Sequence, residues 1–265
     1  MHETTMATMQ SAGLRTPVRN RYFYGKLLDV YHFELETNYL NAKRWLLNRL
    51  VSGYGVVCGL DVLPGREGNQ ILITPGVAID KWGREIIVPR QIGPITIPPE
   101  LMPRPAGQYE EQARHLQQER EEEGCVQVLI CYHECESDPV PVLVGDCNTS
   151  EPCAPSTIRE QYRVEFKEGC AEPYHAECRI PDVISGGRID YEALAKWVSL
   201  PCPEPPRDPC ILLANVRLPD AEEGHHCNPD NIDITVRPIV YSNDLLFELL
   251  LALSPEGSRQ RQQWK

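Results

Sequence analysis

The feature that most constrains this chain is a change of hydrophobic period at Gly53 and Gly55. From Phe33 to Val51 the apolar residues recur at helical spacing. Phe33, Leu40 and Leu47 fall seven apart, Leu46 and Leu50 broaden the stripe, and Glu34, Glu36, Lys43 and Arg44 are left for the other face. The two glycines stop that helix. Beyond them the period is two. "GVVCGLDVLPG", "NQILITPGVAID" and "GREIIVP" are short runs of Val and Ile cut by Gly and Pro, the text of strands. In "AIDKWGREI", Gly83 stands where a short hairpin needs left-handed backbone. "IGPITIP" reads as an edge strand, because its prolines cannot donate to a ladder. With 24 prolines and 4 phenylalanines, the chain calls for many turns rather than a helical bundle.

The second half repeats the β pattern. "CVQVLICYHEC" alternates an apolar face (Val126, Val128, Ile130) with one carrying Cys125, Cys131, His133 and Cys135. "EQYRVEFKEG", "PCILLANVRLPD" and "NIDITVRPIVY" read as further strands. "DYEALAKWVSL" is a short amphipathic helix with Asp190 at its cap position, and "NDLLFELLLALS" closes the chain with a helix capped by Asn243 or Asp244. The expected fold class is α+β: a β-rich body of antiparallel strands, sandwich or barrel-like, with one long N-terminal amphipathic helix and shorter C-terminal helices. The expected organisation is a flexible arm at 1–18, a helix-plus-hairpin module at 19–101, a charged insertion at 102–124 and a cysteine-rich β module with a C-terminal helix at 125–265.

Net charge is −12 over 265 residues, against a nucleic-acid binder, whose affinity rests on phosphate neutralisation. The most apolar segment, Asp244 to Leu253, is far short of the ~20 residues that span a bilayer, so no transmembrane segment is expected. "MHETTMATMQSAG" has no apolar h-region, and synthesis in the cytoplasm is expected, with the protein then part of a large particle released from the cell or anchored in it.

Of the 11 cysteines, Cys58 stands alone and reads as a small core hydrophobe. The others fall between Cys125 and Cys227. Cys135, Cys147 and Cys153 lie in polar, proline-rich text, and Cys202 and Cys210 flank "CPEPPRDPC". Loop cysteines of this kind suit a structural zinc clip, and those five are the candidate ligands. Disulfides and unlinked thiols are the competing readings, the former disfavoured where thiols are held reduced. Cys125 and Cys131, deeper in a strand, are expected to be packed rather than ligating. His133, His225 and His226 adjoin cysteines, yet strand neighbours point to opposite faces and no nucleophile signature surrounds them. Phosphate-binding glycine loops, GxSxG, HExxH and EF-hand patterns do not occur, so no enzyme is expected.

Two segments, "RNRYFYGKLLDVYHFELETNYLNAKRWLLNRLVSGYGVVCGLDV" and "ITPGVAIDKWGREIIVP", resemble a family encoded with phage-tail-like contractile injection systems. A third, "CYHECESDPVPV…CAPSTIREQYRVEF", resembles the middle section of the same family. Together they cover roughly half the chain, in one order. The resemblance implies a structural component near the baseplate or an accessory shell, without enzymatic activity. One departure is visible: His32 stands where an Asp capping the helix is expected.

The leading expectation is therefore a non-enzymatic assembly subunit of a contractile tail-like machine. It would bind other protein subunits through the arm and helix, with Arg21, Tyr22, Tyr24 and Lys26 as contact residues of types enriched in interfaces, and would form a homo-oligomer. The arm could instead pack on its own sheet. The runner-up is a ligand- or glycan-binding adhesion module using Trp45, Trp82 or Trp197, and a zinc or thiol enzyme comes third.

Overall fold

The computed structural model describes residues 14, 16–66, 69–102, 124–142, 153–174, 180, 183–185, 188–218 and 229–253. Most of the arm expected at 1–18, the interior of the insertion expected at 102–124, and Cys147 lie outside the described residues.

Helix α1 spans Val30–Leu47 and runs into a wider π-type turn over Asn48–Ser52. Asp29 caps it: its carboxylate accepts the His32 N–H at 3.2 Å, and the His32 ring faces back to the Asp29 N–H. This reciprocal arrangement satisfies donors that a helix start otherwise leaves unpaired. The Asp expected at position 32 is thus found three residues earlier, with His32 as its counterpart.

The strands that follow are β1 (Gly55–Gly59), β2 (Val62–Pro64), β3 (Gln70–Ile73), β4 (Gly76–Ile79), β5 (Glu85–Val88) and β6 (Ile92–Thr96). They form two three-stranded antiparallel sheets, β1-β4-β5 and β2-β3-β6, with β6 at an edge as its prolines require. The second half supplies β7 (Cys125–Pro141), β8 (Cys153–Glu168), β9 (Ile184–Ser185), β10 (Arg188–Ile189), helix α2 (Tyr191–Val198), β11 (Ile211–Arg217), β12 (Ile232–Asp233) and helix α3 (Asn243–Leu253). Its main sheet runs β12-β11-β7-β8. The α+β class with a β-rich antiparallel body is what the chain adopts.

One core joins the three larger sheets. It takes Leu60, Ile71, Ile73 and Ile86 from the first half, and Val126, Val128, Ile130, Ile211 and Leu213 from the second. In β7 the even-numbered side chains enter this core. The odd-numbered Cys125, Leu129 and Cys131 are also buried, on the opposite face, with Cys210 and Leu212.

Three local expectations change. Cys58 is exposed; β1 is irregular between Val56 and Cys58, and the core position goes to Leu60, held at φ +54. "NIDITVRPIVY" pairs as a strand only at Ile232–Asp233, because the Asp233 carboxylate accepts the Thr235 N–H (2.8 Å) and hydroxyl (2.7 Å) and turns the chain. Helix α3 is capped by Ser242, whose hydroxyl accepts the Leu245 N–H at 3.2 Å, rather than by Asn243 or Asp244.

Candidate assembly surface

The polar ties of α1 to the body lie at its C-terminal end. Asn48 donates to the Gly83 carbonyl (2.9 Å) and the Glu85 carboxylate (2.8 Å), Arg44 pairs with Glu85 (3.1 Å), and Arg49 donates to the Pro203 carbonyl (2.5 Å). Gly83, at φ +92, lets the hairpin approach: a Cβ there would sit 2.0 Å from the Trp45 carbonyl oxygen. Leu35, Tyr39, Ala42, Trp45 and Leu46 form the half-buried side of the helix, whereas Val30, Phe33, Leu40, Leu47 and Val51 are exposed. The seven-residue stripe in the sequence is real, and it faces outward.

The arm before α1 turns at Phe23–Lys26, with the Lys26 N–H donating to the Phe23 carbonyl (3.1 Å) and Gly25 at φ +81. Arg21, Tyr22 and Tyr24 are exposed, Tyr24 fully so. Lys26 differs from them. Its ammonium turns inward to the side chain of buried Asn20 and to the Arg21 carbonyl (3.1 Å), so it clasps the arm.

The β4–β5 hairpin is held by Asp80, fully buried, which accepts the N–H groups of Trp82 (2.9 Å) and Arg84 (2.8 Å) and the Arg84 guanidinium (2.7 Å). The guanidinium lies over the rings of Trp82 (4.6 Å) and Tyr132 (4.5 Å), joining the hairpin to β7. Burial, then hydrogen bonding to Glu134, pushes the Tyr132 hydroxyl well above its ordinary pKa. The Trp82 indole N–H donates to the Pro206 carbonyl at 2.7 Å. Trp82 is thus tied to its own chain at both the indole N–H and the ring. Trp45 is half-buried against the hairpin, and Trp197 lines a shallow depression with Asp190, Lys196 and Leu200.

Strands β7 and β8 pair from Val126↔Glu168 to Pro141↔Cys153, far longer than an ordinary strand pair. Much of the text expected to be loop is therefore a ribbon, its outer half exposed. There Asp138, at φ +56, accepts from Thr157 (2.5 Å), Arg159 (3.0 Å) and Ser137 (3.1 Å), which holds its carboxyl below the usual range.

The cysteines meet differently from the zinc-clip expectation. Cys125 joins Cys170 and Cys131 joins Cys210 in disulfides, with Cα–Cα distances of 5.3 and 4.5 Å. Cys131 and Cys210 are directly opposite each other, continuing the Ile130↔Ile211 register of β7 and β11. Cys210, a candidate ligand, is thus cross-linked. Cys135, Cys153 and Cys202 are exposed and unlinked, and Cys135 lies opposite Arg159 while Cys153 lies opposite Pro141, six rows further out. Among the described residues, one group brings metal-ligating atoms together: Cys131, Glu165 and Cys210, within 4.8 Å of one another. With both sulfurs in a disulfide, Glu165 alone offers it an anionic ligand, and that carboxylate already pairs with Arg163 at 2.5 Å. The pairing was hidden in the sequence because it joins residues 79 positions apart; the signal available was a cysteine at the start of one apolar strand text and another within a second.

No family model matches the chain, and no curated protein matches it. Among solved structures it is similar to one titled "Crystal structure of TssK", at 12% identity and a TM-score of 0.32, over 94% of this chain and 49% of that one. The chain thus spans about half the length of that structure.

Proposed function

We propose that this protein is a non-enzymatic assembly subunit of a contractile phage-tail-like machine, docking on other protein subunits through its N-terminal arm and α1. The observation that carries the reading is the apolar surface from Tyr22 to Val51 that stays exposed among the described residues, on an arm and helix tied to the body at one end. Contiguous exposed apolar surface of this kind marks an interaction site. Tyr and Arg on the arm are residue types that anchor interface cores. The resemblance of "RNRYFYGKLL…" to the tail-machine family points to the same segment. The outer β7–β8 ribbon offers a second contact surface. In this reading the protein is made in the cytoplasm and belongs to a large particle released from the cell or anchored in it, where its disulfides act as structural staples.

The test is co-purification. Replacing Tyr22 and Tyr24 with Asp should abolish recovery of the protein with sheathed tail-like particles while leaving its circular dichroism spectrum intact. Unchanged incorporation of the folded variant would overturn the arm as the docking element.

A further inference from the structure

We propose that α1 pairs antiparallel with α1 of a second copy of this chain, a step that rests on the assembly reading and names its partner. Val30, Phe33, Leu40, Leu47 and Val51 follow the alternating three- and four-residue spacing of a coiled-coil seam, with Thr37 and Arg44 filling the remaining positions. The five apolar members are between 59% and 78% exposed, so among the described residues the seam lacks cover. Heptad spacing specifies a helix as the occupant, since knobs on one helix need the holes of another.

Charge selects the copy and its direction. In an antiparallel pair with Val30 layered on Leu47 of the partner and Thr37 on Leu40, the flanking positions bring Glu36 opposite the partner's Lys43, twice by symmetry. Lys43 is exposed, with no ion pair among the described residues, and Glu36 is half-buried beside the seam. The pairing gives Lys43 a counter-ion. A parallel pair would instead set Glu36 against Asn41 and Lys43 against Asn48, leaving both charges unmatched. Phe33 is layered on the partner's Arg44, a cation facing an aromatic ring.

The test uses the full chain with its free thiols capped by iodoacetamide, followed by sedimentation velocity across a concentration series. The wild type should dimerise. Glu36→Lys and Lys43→Glu should each weaken the dimer by roughly tenfold or more, because two attractive pairs become repulsive. Combining them should restore it. Leu40→Asp, at an exposed position and harmless to the fold, should give a monomer with an unchanged thermal melt. A wild type still monomeric at about 100 μM overturns the pairing, whether or not the protein enters tail-like particles. So does a dimer whose affinity ignores the two single swaps. A dimer responding as expected but absent from every particle would instead leave the pairing standing and sink the assembly reading.

Discussion

Asp80 shows how much one residue can settle. It is a carboxylate with no exposed surface, and it takes its hydrogen bonds from within four residues: the Trp82 and Arg84 N–H groups and the Arg84 guanidinium. Asp80→Ala would leave Arg84 without its counter-ion between two rings, and removing one partner of a buried pair costs about 3–5 kcal/mol. A loss of that size in the unfolding free energy from chemical denaturation is expected, and a loss below about 1 kcal/mol would mean that water compensates. Asp208 is a milder case at the surface. Burial alone would raise its pKa, but hydrogen bonds from Lys167 and the Cys210 N–H, with the charges of Lys167 and Lys81, outweigh it and hold the carboxyl below its ordinary value. A carboxylate depressed in the folded state stabilises above its unfolded pKa, and that contribution is lost as pH falls through the folded value. Asp208→Asn should therefore flatten the acid side of the stability–pH curve and leave its low-pH end unchanged. The effect should be below about 1 kcal/mol, since the pair is nearly half exposed. The hairpin at Gly83 could be read from "AIDKWGREI"; the Arg84 stack on Tyr132 could not, because Tyr132 is distant in sequence and its approach depends on how two sheets meet.

At the scale of elements, period and caps gave α1, α2, the β4–β5 hairpin and β11 from sequence alone. Periodicity located the apolar line of α1, yet it did not say which way that line faces. The half-buried side is a mixed set, Leu35, Tyr39, Ala42, Trp45 and Leu46, weaker in pattern than the exposed one. The disulfides were not legible for a related reason: the cysteines that pair sit in separate strands. The Cys131–Cys210 bond closes a loop of 79 residues, worth about 4 kcal/mol by chain entropy. Replacing both with Ala should lower the melting temperature by several degrees, on the order of 2–4 °C per kcal/mol for a chain of this size. Cys135→Ser with Cys153→Ser, both exposed and unlinked, should melt with the parent. Equal melting of both variants would remove the disulfide as a staple of the β7–β11 pair.

Across the whole molecule, burial and exposure are divided sharply. Among the described residues the largest fully buried side chains all belong to the shared core of the three sheets, while α1 and α3 contain no buried residue. Helix α3 is apolar around most of its circumference, with Leu246, Phe247, Leu249, Leu250, Leu251 and Leu253 all exposed. A helix of that composition is ordinarily covered. Its contribution to the stability of an isolated chain should then be small, because burial of apolar area is what stabilises and little is buried here. A chain ending at Ser242 should unfold within about 2 °C of the full protein, since less than about 1 kcal/mol is removed. It should also bind less of a hydrophobic dye and stay soluble at higher concentration. A melting temperature lowered by more than about 5 °C would place α3 inside the folding unit. An unchanged one would make it, like α1, surface that the fold displays rather than uses.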